Sequence, residues 1–285
     1  MKIPRRLQPL VDDGIVDSVT RQLMSGKEAM VFVVRCGGES RCAKVYKDAD
    51  QRSFRQAVDY TENRKTKNTR AARAIAKRTR FGKASQEAAW QSAEVDALYR
   101  LAGAGVRVPR PYGFHAGVLL MELVADAAGN AAPRMNDVDL PPAMAIELHT
   151  TLVREVVRML CAGVVHGDLS EFNILLGVDG PVIIDLPQAV NAAGNNNAAS
   201  MLQRDADNIT TYFSRFAPSL GSTQFGKEIW SLYERGALHE DVTLTGRVAA
   251  DNRIADVAGV MREISDVQAE HESRLRYRAQ VREGY

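Results

Sequence analysis

The pattern of apolar and polar residues predicts strands in the first part of the chain. Apolar residues at roughly helical spacing within 7–24 predict one or two short helices at the start. The apolar runs 30–35 and 41–47, which include β-branched residues, flank two consecutive glycines and predict a β-hairpin. A further apolar run at 118–124 predicts a buried strand.

Helical spacing of apolar residues dominates the second part of the chain. The predicted helices cover 86–102, 143–161 and 201–216, with others around 229–233 and 257–267. Between them, the apolar run 181–185 predicts a buried strand that ends in an aspartate. A strand-rich first part followed by a mainly helical second part predicts an α+β fold.

Composition and cysteine content are those of an ordinary globular protein. Of the 285 residues, 45% are apolar and 25% are charged, and the chain is long enough for two lobes that share a cleft. The cysteines Cys36, Cys42 and Cys161 show no C-x-x-C spacing, so we predict buried thiols rather than disulfides or zinc ligands. No apolar run reaches the length of a membrane span, and no apolar signal core follows the basic start of the chain. We therefore expect a cytoplasmic protein without a membrane partner.

The stretch 165–176 carries the strongest chemical signal. Asp168 is followed five residues later by Asn173, and Asp185 comes twelve residues after that asparagine, at the end of the apolar run. Protein kinases place an aspartate and an asparagine at the first of these spacings, where the aspartate meets the substrate hydroxyl and the asparagine holds a metal ion. Two aspartates and an asparagine that converge at one cleft can hold magnesium on ATP. We expect His166, in the same loop, to be a structural residue rather than a base.

Two charged residues in the strand-rich part are further candidates. Lys44 interrupts the returning strand of the hairpin, either as a solvent-facing residue or as the lysine with which kinases reach the α- and β-phosphates. Glu94 lies in a predicted helix, either as a surface residue or as the partner that holds this lysine against phosphate. The turn Ser25-Gly26-Lys27 can cover phosphates with backbone N–H groups, although one glycine is equally typical of an ordinary turn.

The strand predicted at 118–124 leads out of the strand-rich part, in the order that kinases follow. Its last backbone groups are predicted to meet the adenine of ATP. These residues are Met121, Glu122, Leu123 and Val124. The stretch 125–142, rich in alanine, glycine and proline, is predicted to link two lobes. We therefore predict a two-lobed, protein-kinase-like fold with a small β-rich N-lobe at 1–124, a larger mainly helical C-lobe at 125–285, and the ATP site between them.

Charge is distributed unevenly along the chain. Residues 52–83 contain eleven basic and two acidic residues and few large apolar ones. Because such a composition cannot bury enough apolar surface to fold alone, we predict a flexible insertion of the N-lobe at about 48–85. Two interpretations stay open, a solvated linker and an arm that binds RNA or a ribosomal particle.

Four motifs together resemble the RIO family of atypical serine/threonine protein kinases. They are Ser-Gly-Lys-Glu-Ala at 25–29, Ala-Lys-Val-Tyr-Lys at 43–47, His-Gly-Asp-Leu-Ser-Glu-Phe-Asn at 166–173 and Ile-Asp-Leu-Pro-Gln at 184–188. The resemblance covers roughly residues 7–220. It implies that Asp168 is the catalytic aspartate, that Asn173 and Asp185 are metal ligands, and that Lys44 and Glu94 form an ion pair. It also implies that Ser25 and Lys27 lie over the triphosphate.

The resemblance further implies an activity. Members of this family are expected to transfer phosphate from ATP to protein serines, including serines of their own chain, with Mg²⁺ or alternatively Mn²⁺. They are also expected to hydrolyse ATP and to take part in ribosome maturation. No winged-helix segment is evident at the start of the chain, so the resemblance is to the simple, bacterial-type branch. The protein substrate does not follow from the sequence.

The sequence differs from that of ordinary protein kinases at two motifs, and two alternative functions stay open. Gly167 replaces the arginine of H-R-D, which pairs with a phosphorylated activation loop, and Pro187 replaces the glycine of D-F-G, so no glycine-enabled flip is expected. One alternative is an ATP-driven binding switch on RNA or ribosomal particles. Another is a small-molecule kinase of the aminoglycoside-phosphotransferase type. The absence of a Gly-Asp pair after Asp185 argues against this alternative.

Overall fold

Residues 3–26, 28–47 and 93–247 are described by a computed structural model of the chain. They all belong to one structural unit, Met1–Val248. Three predictions fall outside the described residues: the phosphate contact of Lys27, the basic insertion at about 48–85, and the helix around 257–267.

A five-stranded antiparallel sheet forms the first part of the structure. Its strands are β1 (Ser18–Ser25), β2 (Ala29–Cys36), β3 (Glu39–Tyr46), β4 (Pro111–His115) and β5 (Val118–Glu122). The spatial order is β1-β2-β3-β5-β4, so β3 and its Lys44 lie at the centre. β2 and β3 form the predicted hairpin, and both glycines of its turn have positive φ angles, which glycine adopts without steric strain.

The two faces of this sheet have different neighbours. Phe32, Val34 and Ala43 on one face pack in a cluster with Leu7 and Leu10 of the N-terminal segment, which contains helix α1 (Gln8–Asp12). Because successive residues of a strand point to opposite faces, Lys44 and Tyr46 point away from this cluster. The other face of the sheet therefore carries Lys44 and Tyr46.

The prediction of helices within 7–24 is half wrong. The segment α1 is helical, but Ser18–Ser25 is the edge strand β1, paired with β2 from Ser18 opposite Arg35 to Ser25 opposite Met30. Two register shifts interrupt this pairing. Such bulges break the strict alternation of apolar and polar residues by which a strand is identified, and they leave a spacing that resembles a helix.

Helices and two short ladders make up the rest. The helices are α2 (93–103), α3 (Pro142–Cys161), α4 (Ala198–Ser214) and α5 (Phe225–Glu234). The ladders pair β6 (Val164–Val165) with β9 (Val190–Asn191) and β7 (Ile174–Gly177) with β8 (Gly180–Ile183). The predicted helices at 143–161, 201–216 and 229–233 are thus confirmed. The predicted strand at 181–185 is present as β8, but it ends at Ile183, two residues before Asp185. None of the described helices is long and apolar enough to cross a membrane.

One hydrophobic cluster joins the sheet to the helices. It contains Tyr46 and Leu119 of the sheet, Leu101 of α2, Leu152 of α3 and Phe213 of α4, all nearly inaccessible to solvent. Burying each of these large side chains stabilises the fold by roughly 1.5–3 kcal/mol. The cluster holds the strand-rich and helical parts together on either side of a cleft. The division into lobes between residues 124 and 125 stays a prediction.

The cysteine prediction holds for two residues of three. Cys36 and Cys42 are buried, whereas Cys161 is exposed. Cys161 is the last residue of α3, directly after the buried Leu160, and its position on the helix turns it towards solvent. All three are free thiols, as predicted.

Candidate active site

A cleft with a volume of about 450 Å³ lies between the sheet and the helical part. Its volume is in the range of roughly 300–1,000 Å³ that small-molecule sites occupy. It brings together most of the residues predicted to contact nucleotide or metal. These are Lys44, Met121, Glu122, Leu123, Val124, Asn173 and Asp185.

The Lys44 ammonium is held at the cleft by two carboxylates. It donates to Glu94 of α2, which confirms the predicted pairing, and it lies 3.1 Å from Oδ1 of Asp185. The Lys44 side chain is only 13% exposed. Burial alone would lower the pKa of Lys44, but the charges of Glu94 and Asp185 more than offset this and raise it above its ordinary value. The amine is therefore a fixed positive charge.

The Tyr46 hydroxyl completes this arrangement and was missed in the sequence. It donates a hydrogen bond of 2.7 Å to Oε2 of Glu94, while Lys44 binds Oε1. Burial and the Glu94 charge raise the pKa of Tyr46, so its hydroxyl stays protonated and can donate. Both carboxylate oxygens of the buried Glu94 are thereby satisfied. The sequence could have indicated this role, because Tyr46 lies two residues after Lys44 and residues two apart on a strand point to the same face of the sheet.

The His166 ring connects the loop of Asp168 to Ile184, the residue between β8 and Asp185. Its Nε2 lies 3.1 Å from the Ile184 carbonyl oxygen, and its Nδ1 accepts from the Asp168 backbone N–H at 3.3 Å. A ring that accepts at Nδ1 and donates at Nε2 is the neutral form with its proton on Nε2, a tautomer assigned here from the bonding pattern. The predicted structural role of His166 agrees with these contacts.

Asp168 and Asn173 are joined within this loop. The Asn173 amide nitrogen donates to the Asp168 carbonyl oxygen at 2.8 Å, which leaves the Asn173 side-chain oxygen as an acceptor. Burial raises the pKa of the Asp168 carboxyl, although the charge of Arg204 acts in the opposite direction. A raised pKa brings a carboxylate closer to the range in which it works as a general base.

Asp185 faces the open cleft from a constrained backbone. Its φ is 67°, in the left-handed region that aspartate tolerates better than most residues, and its side chain is 49% exposed. Burial by its surroundings would raise the pKa of Asp185, but the Lys44 charge and hydrogen bond outweigh it and the pKa is lowered. An ionised carboxylate and an amide oxygen are ligands that Mg²⁺ accepts. The described residues form no cluster of three or more His, Cys, Asp or Glu side chains that could hold a metal alone.

Three side chains of α4 fix the backbone of the Asp168 loop, and sequence reasoning assigned none of them a role. The buried Asp205 accepts from the N–H groups of Gly167 at 2.7 Å and Leu169 at 2.9 Å. Arg204 donates to the Gly167 carbonyl oxygen at 2.5 Å, and Asn208 donates to that of Leu169 at 3.0 Å. The residues on both sides of Asp168 are thus bonded to one helix.

Arg107, in the connector before β4, joins the cleft to the helical part. Its guanidinium makes two hydrogen bonds to the Glu122 carboxylate, of 2.9 and 2.8 Å. Its backbone N–H donates to Glu155 of α3 at 2.8 Å, and its carbonyl oxygen accepts from Ile183 of β8 at 2.9 Å. The hydrogen bonds from Arg107 are the largest cause that lowers the pKa of Glu122. The end of β5 is therefore tied to the elements below it.

Two backbone groups of the predicted adenine segment have protein partners. The Glu122 N–H donates to Arg110 at 2.8 Å, and the Val124 carbonyl oxygen accepts from Ala132 at 2.9 Å. The predicted contact to adenine would therefore use the remaining backbone groups of residues 121–124. Which of them bind adenine stays a prediction.

The glycine turn is folded onto itself. The Gly26 N–H donates to the Ala29 carbonyl oxygen at 2.9 Å, and Lys47 donates to the Gly26 carbonyl oxygen at 2.6 Å. Ser25 is exposed at the end of β1, and neither Ser25 nor Gly26 is among the residues that line the cleft. Their predicted phosphate contacts stay predictions.

Residues from the linker were missed as well. Ala131, Ala132, Pro133, Arg134 and Asp137 line the cleft on the side opposite the sheet. This stretch has no helical or strand periodicity, so nothing in its sequence pattern indicates which side chains face the cleft.

Comparison with known proteins identifies similar sequences. The family described as the RIO domain matches residues 30–225 of this chain. The RIO-type serine/threonine-protein kinase Rio1 of Haloferax volcanii is 36% identical over 214 residues, which cover 72% of this chain and 67% of that protein. The serine/threonine-protein kinase rio1 of Schizosaccharomyces pombe is 28% identical over 221 residues, which cover 73% of this chain and 41% of that protein.

A solved structure has a similar fold. It is the Rio2 kinase of Chaetomium thermophilum in a complex with ADP, Mg²⁺ and phosphoaspartate. The TM-score is 0.52 at 21% sequence identity, and the match covers 81% of this chain and 70% of that chain. At this identity the likeness concerns the fold, which is the two-lobed α+β kinase architecture that the sequence predicts.

Proposed function

Because the chain belongs to the RIO family of serine/threonine-protein kinases, we propose that it transfers the γ-phosphoryl group of ATP to a serine of a protein, itself included. The family predicted from the four motifs is confirmed by this membership, and its simple, bacterial-type branch stays a prediction. Membership in a family of protein kinases does not support the small-molecule alternative. The cytoplasm remains our proposed location.

A single observation carries this proposal. One cleft gathers an anchored cation, an ionised carboxylate, an amide oxygen and the end of β5. Lys44 would bind phosphate oxygens, because Glu94 and Asp185 hold its ammonium at the cleft and Tyr46 holds Glu94. The raised pKa of Asp168 suits a group that receives the proton of the acceptor hydroxyl.

Asp185 and the side-chain oxygen of Asn173 would hold the metal ion. Both are oxygen donors on the cleft wall, and ADP with Mg²⁺ in the Chaetomium thermophilum Rio2 structure supports magnesium. When bound, the ion neutralises charge on the β- and γ-phosphate oxygens. The same donors would accept Mn²⁺, which we retain as an alternative.

Phosphoryl transfer with labelled ATP tests the proposal. The purified chain is incubated with Mg²⁺ and ATP labelled at the γ-phosphate, with and without dephosphorylated casein as a general acceptor. Asp168→Asn keeps the shape of the side chain but removes the base, so we expect transfer to fall by ~10²–10⁴ while ATP binding persists. Transfer by this variant at the wild-type rate would remove the role proposed for Asp168.

An ATP-driven binding switch is the second candidate, and two observations favour it. The Rio2 structure contains a phosphoaspartate, and a phosphorylated carboxylate releases phosphate to water without a protein acceptor. In the sequence, the basic segment 52–83 lies between β3, which carries Lys44, and α2, which carries Glu94. We propose that this segment binds RNA or a ribosomal particle while ATP hydrolysis regulates attachment.

Neutralising five basic residues tests the switch. The set is Arg64, Lys65, Lys67, Arg70 and Arg73. The variant should bind ribosomal particles more weakly at low salt and with a shallower salt dependence, because fewer counterions are released. Its ATP turnover without particles should equal that of the wild type. Equal binding at every salt concentration would identify the segment as a linker.

A further inference from the structure

Arg134 spans the mouth of the cleft. Its backbone forms an isolated β-bridge with Leu175 of β7, and Pro133 accepts a hydrogen bond from Leu176 at 2.9 Å, so its main chain belongs to the floor. Its guanidinium nitrogen Nη2 lies 3.1 Å from the sulfur of Met24 on β1. The side chain therefore reaches from the helical part to the edge strand of the sheet.

The guanidinium is poorly satisfied in this position. Within the described part of the chain, the Met24 thioether is its one hydrogen-bond partner, and no carboxylate pairs with it. An arginine side chain has five N–H donors, and a thioether is a weak acceptor. Arg107, by contrast, has a carboxylate that accepts two of its hydrogen bonds. Arg134 thus presents to the cleft a cation with unused donors, whose charge acts on Asp185 without a direct ion pair.

The charge of the cleft lining indicates what this cation would bind. Among the described lining residues, Lys44 and Arg134 are the cations, and Glu122, Asp137 and Asp185 are the anions. Lys44 is already bonded to two carboxylates. A nucleotide polyphosphate brings several more negative charges, which favour a cation that forms no direct ion pair with a protein carboxylate.

We propose that Arg134 binds the phosphates of the nucleotide, and that its guanidinium leaves the Met24 sulfur for phosphate oxygens when the nucleotide enters. The exchange replaces a weak N–H···S contact with charge-assisted hydrogen bonds, which are about twice as strong as neutral ones. The planar fork of arginine matches two oxygens of one phosphate. This inference rests on the proposed ATP binding and adds a nucleotide contact from the floor of the cleft.

Calorimetric titration with adenosine, AMP, ADP and ATP, each with Mg²⁺, tests the assignment. Arg134→Ala should weaken ADP and ATP binding by about 10- to 100-fold, the range expected for hydrogen bonds to a charged group, and adenosine binding by less than about 3-fold. Arg134→Lys should recover part of the loss, because it keeps the charge but not the fork. The matched control is Arg235→Ala, since Arg235 is exposed at the end of α5 and donates to Ser231.

The outcomes separate this inference from the proposed function. Equal losses for adenosine and ATP would show that Arg134 shapes the cleft, and an unchanged ATP affinity in Arg134→Ala would show that it makes no contact; either overturns the inference. A wild-type chain that binds no ATP would instead refute the proposed function. Should Arg134→Ala unfold, Arg134→Gln keeps a long polar side chain without charge and takes its place in the same titration.

Discussion

Replacing Asp205 by asparagine tests whether α4 positions the catalytic loop. Asp205 accepts two hydrogen bonds, from the backbone N–H groups of Gly167 and Leu169, and it is 1% exposed. Asparagine has the same shape but offers one oxygen, so one of the two N–H groups meets an NH₂ group instead. A buried donor without an acceptor costs about 1–3 kcal/mol.

Part of that destabilisation is offset in this variant. Burial is the largest cause that raises the pKa of Asp205, which means that the fold penalises its charge, and asparagine removes the charge. The net loss therefore stays below about 3 kcal/mol, well under the roughly 5–15 kcal/mol by which domains are stable. Asp205→Asn should fold, and its main defect should be the position of Asp168, which lies between the two bonded residues.

The expected defect is in turnover rather than in nucleotide affinity. A displacement of about 1 Å in a reacting group can lower the rate by about 10²-fold, so kcat should fall by that order. The KM for ATP should change by less than about 3-fold, because Asp205 is not among the residues that line the cleft. Steady-state turnover and urea unfolding measure the two effects, and Asp207→Asn, an exposed neighbour on the same helix, is the matched control. Wild-type kcat in Asp205→Asn, or a rise in KM as large as the fall in kcat, would refute the reasoning.

Asp185→Ala should abolish magnesium-dependent nucleotide binding, and Asn173→Ala should weaken it less completely; tight magnesium-dependent binding to Asp185→Ala would place the metal elsewhere. Tyr46→Phe leaves Oε2 of Glu94 without its hydrogen-bond donor. This variant should lower the free energy of unfolding by about 1–3 kcal/mol and raise the KM for ATP. Unchanged values of both would show that the hydrogen bond is unimportant. Burial lowers the pKa of His149 to about 4, and an unfolded histidine titrates near 6.5, so the unfolded state binds more protons between these values and stability falls as the pH drops through this window. Unfolding measurements should show a loss of about 2 kcal/mol between about pH 7 and pH 5, which His149→Gln should largely remove; an equally acid-sensitive variant would exclude His149 as the cause.

The parts of the site that sequence identifies are those whose spacing or periodicity is local. Asp168 and Asn173 are recognisable from their separation, and Lys44 from its place in a hairpin. Asp205 was detectable in principle, because it falls among buried Met201 and Ile209 on the apolar face of α4, where an unpaired carboxylate would be costly. A buried acid on the apolar face of a predicted helix therefore indicates that backbone N–H donors of another segment lie next to it.

Other features depend on tertiary contacts that no local pattern encodes. Arg134 lies in an irregular linker, and its direction is set by the bridge to β7 and the contact with β1. The strand β1 was missed because its bulges hide the alternation, and its identity comes from pairing with β2. The exposure of Cys161 depends on which face of α3 is left uncovered at its end.

The contacts of Arg107 tie the sheet to the helical part at one side of the cleft. Since Arg107 bonds the end of β5 to α3 and β8, we expect this end of the sheet to act as an axis, so that the opposite edge would move farthest in any opening of the cleft. The strand β1 lies three positions from β5 in the sheet, which is about 14 Å at the usual strand spacing. A rotation of roughly 10° about that axis displaces β1 by about 2–3 Å at this lever arm. A small angular motion of this kind would therefore widen the cleft at the β1 edge while the end of β5 stays in place.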